Sequence, residues 1–93
     1  MTIGLLQVEI LLLETHSLKE KRSVLSRIKN LVRNKFNVSI ADLKYGDQWG
    51  RTLLGLVTIS DDGKIVHQVL KRVEDFLEQQ IGIRIVDRKV ELF

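Results

Sequence analysis

Apolar residues recur at intervals of two in four segments of the chain and at about 3.6 in two others, and the segments follow in the order β-α-β-β-α-β. Each helical segment has one apolar face and follows a strand. Those two observations predict an α+β fold of ferredoxin-like arrangement, a two-layer sandwich with both helices on one face of a four-stranded antiparallel sheet. At 93 residues the chain is expected to form a single domain over 1–93, with no linker, repeat or low-complexity tract inside it. Apolar residues make up 44% and charged residues 29%, the balance of a chain that folds.

The first strand is expected over Thr2 to Leu13, with Leu6, Val8, Ile10 and Leu12 on one side and Ile3, Leu5, Gln7, Glu9 and Leu11 on the other. Ser17 followed by Glu20 is a capping-box signature, so a helix starts there and runs to about Lys35 on the apolar positions Leu18, Val24, Leu25, Ile28, Leu31 and Val32. From Phe36 the period changes to two, giving a strand to about Tyr45, a turn over Gly46 to Gly50 and a third strand over Thr52 to Ser60, paired as a hairpin. Ser60-Asp61-Asp62-Gly63 supplies cap and turn residues for a second helix on Ile65, Val66, Val69, Leu70, Val73, Phe76 and Leu77, ended by Gly82. Ile83 to Leu92 closes the sheet as an edge strand. The expected core is Leu6, Val8, Ile10, Leu12, Val24, Leu25, Ile28, Leu31, Val57, Ile59, Val66, Val69, Leu70 and Val73. The other face of the sheet would then show Ile3, Leu5, Leu11, Leu43, Leu54 and Leu56 to water. An apolar patch of that size predicts a homodimer through the open face.

Composition excludes several functions. The longest apolar stretch, Ile10 to Leu13, is too short to cross a bilayer, so no membrane role is expected. The first residues lack a basic leader and carry Glu9, so the chain is expected to start at Met1 and stay inside the cell. With no Cys there are no disulfides, thiolate nucleophiles or Cys-based metal sites, and neither His16 nor His67 has a second His or Cys at ligand spacing. HExxH, GxSxG, GxGxxG and P-loop patterns are absent, and Asp61-Asp62-Gly63 lacks the alternating oxygens of a calcium loop. A binding role without catalysis, cofactor or metal is therefore expected. RNA-recognition modules of this topology place aromatics on the two central strands, here read as Leu5-Gln7-Glu9 and Leu54-Leu56-Thr58, and those platforms are missing. Acylphosphatases share the topology too, but their glycine-rich phosphate loop is not present in ETHSLKEKR.

The charge of +3 is unevenly spread. Residues 1–14 carry −2, residues 15–51 carry +6 and residues 52–93 carry −1. In the first helix Lys19, Arg22, Lys29 and Arg33 are read as one narrow stripe opposite the apolar face, with Arg27 beside it and Lys21 and Lys35 flanking the apolar edge. Lys19, Lys21 and Arg22 oppose the helix dipole at its N-terminus, whereas an anion near Ser17 would be favoured by the first-turn amides and the three bases together. His16, Ser17, Lys19, Lys21, Arg22, Lys29 and Arg33 are therefore the candidate anion- or RNA-binding residues, against the plainer reading of a solvated basic face. Trp49, with Tyr45 and Arg51, is a candidate partner contact, and base stacking by a lone aromatic in a tight turn is the weaker reading. His67, beside Lys71 and Glu74, reads as exposed surface.

The segments HSLKEKR, FNVSIAD, DQWGRTLLG and TISDD, in that order and at these separations, resemble the YlxP-like family of small bacterial proteins, a domain of unknown function. The resemblance covers nearly the whole chain and is most specific at Ser17-Leu18-Lys19-x-Lys21-Arg22 and Phe36-Asn37-Val38-Ser39. At Gly50 and Thr52 the chain departs from the family's usual residues, Gln and Ala. The resemblance implies a ferredoxin-like fold, a cytoplasmic bacterial protein and genomic company with translation and ribosome-maturation genes. It lends no catalytic residues.

Overall fold

A computed structural model describes residues 1–93. The elements are β1 (Thr2–Leu12), α1 (Leu18–Lys35), β2 (Ser39–Lys44), β3 (Arg51–Ser60), α2 (Gly63–Glu78) and β4 (Ile83–Leu92). The strands form one antiparallel sheet in the order β2-β3-β1-β4, and residues of both helices join a single apolar core on one side of it. This is the ferredoxin-like α+β arrangement that the periodicity predicts.

The helix starts follow their caps. Ser17 is extended and its hydroxyl accepts from the amide of Glu20 at 3.1 Å, while the Glu20 carboxylate accepts from the amide of His16 at 2.7 Å. The reciprocal half of the box thus reaches one residue beyond the cap. Asp62 caps α2, accepting from the amide of Lys64 at 2.9 Å. That helix ends at Glu78, short of Gly82, because no apolar side chain beyond Leu77 continues its buried line and Ile81 points into water. Gly82 supplies the left-handed turn (φ +87°) into β4. Strand β2 begins at Ser39 instead of Phe36, since the amide of Val38 donates back to the carbonyl of Phe36 in a tight turn and pairing with β3 starts only at Ser39 opposite Val57. Phe36 instead meets Phe76 edge to face at 5.7 Å, with the Lys35 ammonium over the Phe76 ring, joining the end of α1 to α2.

Pairing decides which side of β3 is buried. Leu6 lies opposite Leu56, Val8 opposite Leu54 and Ile10 opposite Thr52, so Thr52, Leu54 and Leu56 face the helices. The expectation that Val57 and Ile59 lie in the core, and Leu54 and Leu56 outside it, is overturned. Val57 and Ile59 are 39% and 56% exposed, whereas Leu54 and Leu56 are fully buried. A one-residue change of phase moves a strand's whole side-chain set to the other face. Leu31 is also outside the core, one position off the line Leu25, Ile28, Val32 by which α1 meets the sheet. Val24 and Val69 pack only against its rim, and Val32, Ile40, Leu77 and Ile83 join it. Leu6, Val8, Ile10, Leu12, Leu25, Ile28, Val66, Leu70 and Val73 are buried as expected. Gly4 sits under α2, where a Cβ would meet Val66 and Leu70, so its bare backbone lets the helix approach.

Candidate functional site

At one end of the sheet the loop between β1 and α1, the first turns of α1 and the hairpin turn between β2 and β3 come together. Three main-chain bonds hold this end. Leu12 donates to Gly50 at 3.0 Å, Leu13 to Gly82 at 2.9 Å and Gln48 to Tyr45 at 3.1 Å. The hydroxyl of Thr15, itself buried, donates to the carbonyl of Trp49 at 2.5 Å. Tyr45 makes the hairpin turn with φ +68°, a left-handed conformation uncommon for any residue with a Cβ.

Lys21 locks this corner. It is only 5% exposed, and its ammonium donates to the carbonyls of Tyr45 and Gln48, each at 2.6 Å. Burial lowers its pKa below the usual 10.5, with Asp42 and Asp47 pulling the other way. The placement of Lys21 at the edge of the apolar face is therefore corrected, because it falls on the line of Leu25, Ile28 and Val32 and enters the interior. The signal lay in the spacing, since Lys21 precedes those residues by four, seven and eleven positions.

The basic stripe is also displaced. Lys29 pairs with Asp42 of β2 at 2.7 Å, and Arg33 donates to the carbonyl of Ile40 at 3.3 Å. Lys29 and Arg33 thus run down the flank of α1 that leans on β2, not along the side opposite the core. Lys19, Arg22, Arg27, Arg33 and Lys35 are exposed and make no ion pair. Ser17 is occupied as a cap, and His16 has its ring 5.9 Å from that of Trp49.

The aromatic candidates separate. Tyr45 and Arg51 form one cluster with Glu9: the guanidinium lies 4.0 Å from the tyrosine ring centre, Arg51 pairs with Glu9 at 3.0 Å, and the phenol donates to Glu9 at 3.3 Å. Trp49 stands apart beside His16, half exposed, and bridges the two loops. On the open face the central strands carry Leu5, Gln7 and Glu9 beside Leu53, Gly55 and Val57, again without aromatics. The expectation of Leu54-Leu56-Thr58 on that face is corrected, since those three side chains are buried under the helices.

Between α1 and the hairpin lies a cavity of about 350 Å³. Lys21, Arg22, Lys29 and Lys44 line it, with Asp42, Thr52 and the apolar side chains of Leu18 and Leu25. Thr52 is fully buried and its hydroxyl has no hydrogen-bond partner. Neither the cavity nor Thr52 was apparent from the sequence, where Thr52 reads as an ordinary strand residue. No group of three or more His, Asp or Glu side chains is arranged to hold a metal ion, and no helix is long and apolar enough to cross a membrane.

Residues 3–90 match the family described as protein of unknown function, DUF503. The chain belongs to this family. It is 42% identical over 76 residues to the uncharacterized protein YlxP of Bacillus subtilis strain 168, covering 82% of this chain and 83% of that one. The resemblance carried by HSLKEKR and FNVSIAD is therefore confirmed. Among solved structures the DUF503 chain is similar to the de novo designed protein Foldit4, with a TM-score of 0.58 at 13% identity, covering all of this chain and 97% of that one. That likeness shows the fold alone.

Proposed function

We propose that this DUF503 protein is a cytoplasmic binding module, not an enzyme, that docks the phosphate backbone of RNA, ribosomal RNA in particular, along the exposed cations of α1. The observation that carries the reading is the set Lys19, Arg22, Arg27, Arg33 and Lys35, five exposed bases on one helix with no carboxylate partner. Elsewhere on the surface Lys71, Arg88 and Lys89 are each paired with acids, while the unpaired Lys44, Lys64, Arg72 and Arg84 are spread over β2, α2 and β4, so no other element carries as many unpaired bases as α1. From Lys19 to Arg33 the helix spans about 21 Å at 1.5 Å per residue, enough to follow several phosphates. Only Asn30 and Asn34 offer amides to base edges on that surface, so binding is weakly sequence-specific.

Fluorescence titration of a labelled RNA tests this. Binding at low salt is expected to weaken steeply as salt rises, and Lys19→Glu with Arg27→Glu is expected to abolish it without unfolding the protein. A parent that does not bind at low salt, or a double variant that binds as the parent does, overturns the reading.

The open sheet face favours a second reading, a homodimeric interaction module. Ile3, Leu5, Leu11, Leu43, Leu53, Val57 and Ile59 lie on that face, with Leu43 and Ile59 more than half exposed. Sedimentation at micromolar concentration distinguishes a dimer from a monomer, and a monomer removes this reading.

A further inference from the structure

The cavity between α1 and the hairpin contains groups that a surface contact with a polyanion leaves unused. Lys29 and Asp42 neutralise each other at 2.7 Å across it. Lys44 pairs with Leu53 and holds its ammonium 5.2 Å from the Tyr45 ring on the open face of the sheet, so Lys21 and Arg22 remain as two cations of the cavity without a facing carboxylate within ion-pair distance. An ammonium has three donors, and Lys21 spends two on the carbonyls of Tyr45 and Gln48, so one is left. Thr52 adds a buried hydroxyl that no group of the protein satisfies. Buried polar groups are rarely left unpaired, and the exceptions are where a ligand is to be sought.

We propose that this cavity binds the phosphate group of a phosphate monoester, with Thr52, Lys21 and Arg22 as its donors. The unengaged lining groups are all donors, because the only carboxylate is held by Lys29. A dianion with three terminal oxygens matches two cations and a hydroxyl in charge and in number of acceptors better than a carboxylate, which has one charge and two oxygens. At about 350 Å³ the space is far larger than an inorganic phosphate needs and falls at the lower end of small-molecule sites, about 300–1,000 Å³. Leu18 and Leu25 offer apolar surface to the organic part of the ester. The monoester is carried either by a free metabolite or by the 5′ end of a nucleic-acid strand.

This site goes beyond the polyanion surface and does not depend on it. Lys19 and Arg27 line no part of the cavity, and Thr52 has no exposed surface. Calorimetric titration at low salt with adenosine 5′-monophosphate, inorganic phosphate and adenosine tests the proposal. The nucleotide and phosphate are expected to bind competitively and adenosine not to bind. Thr52→Val, which keeps the shape and removes the hydroxyl, is expected to weaken the nucleotide about tenfold while leaving the free protein as heat-stable as before or more so. A merely structural hydroxyl moves heat stability downward and leaves affinity alone. Lys19→Glu with Arg27→Glu is expected to keep nucleotide affinity within about twofold even if RNA binding is lost. A 5′-phosphorylated oligonucleotide binding more tightly than its 5′-hydroxyl counterpart assigns the group to a strand end, and equal binding assigns it to a free metabolite. No binding of nucleotide or phosphate at millimolar concentration, or Thr52→Val binding as the parent does, overturns the proposal. Loss of nucleotide binding in the Lys19 and Arg27 variant also overturns it, since that result marks diffuse surface attraction.

Discussion

The ammonium of Lys21 donates to the carbonyl of Tyr45 across 24 residues of sequence, at 2.6 Å, and the same nitrogen reaches Gln48. One side chain of α1 thereby satisfies the carbonyls of a turn whose first residue is in the left-handed region. Lys21→Met keeps the bulk and removes both bonds. It is expected to destabilise the fold by about 2 kcal/mol, measured by urea unfolding, with the loss concentrated at the hairpin.

The same lysine gives a pH dependence. Burial lowers its pKa below 10.5 in the folded protein, so just below 10.5 the unfolded chain holds a proton that the folded chain has released. Stability contributed through Lys21 therefore rises with pH in that window. The parent is expected to gain on Lys21→Met between neutral pH and about 10.5, measured as the difference in unfolding free energy at each pH. A gap that is constant across the range shows that the amine titrates normally.

Two glycines on opposite faces of the sheet are expected to respond differently to alanine. At Gly4 a Cβ meets Val66 and Leu70, both held in the core, so Gly4→Ala is expected to cost about 1–3 kcal/mol. At Gly55 the obstacle is the side chain of Leu43, which is 52% exposed and free to turn aside. Gly55→Ala is therefore expected to be nearly neutral. Thermal unfolding of both variants decides.

Glu74 is buried on α2 and accepts from Arg88 of β4 at 2.7 Å, with Lys71 at 3.5 Å. Arg88→Ala leaves a buried carboxylate with a weaker partner and is expected to cost about 1–2 kcal/mol, whereas pairing it with Glu74→Gln is expected to restore most of that loss. A double-mutant cycle by chemical denaturation measures the coupling.

Lys19 sits in the first turn of α1, where its charge opposes the dipole. Lys19→Glu is expected to raise stability by about 0.3–1 kcal/mol at low salt and less at high salt, read from the thermal midpoint.

How legible the molecule was depended on whether one local pattern or a distant partner decided each feature. The caps at Ser17 and Asp62 are written within four residues of chain, and both helices start where those residues predict. The phase of β3 is not written locally, because Leu53, Val57 and Ile59 compete with Leu54 and Leu56 and neither face reads as polar. Only the register against β1 chooses between them. Lys21 was misplaced because a lysine is expected at the surface, and the carbonyls that draw it inward belong to a turn more than twenty residues away. The cavity was invisible for the same reason, since its walls come from α1, β2 and β3 at once.

The two helices are seated unequally. Bare backbone at Gly4 admits α2 closely, and α2 packs against β1, β3 and β4, while α1 rests chiefly on β2 at the sheet's edge. Native-state amide exchange should therefore occur in tiers, with β1, β3 and α2 protected to the limit of global unfolding and α1 with β2 released earlier by a partial opening. Any anion held between α1 and the hairpin would close that lower tier, slowing exchange in the helix it touches and leaving the protection of α2 as it was.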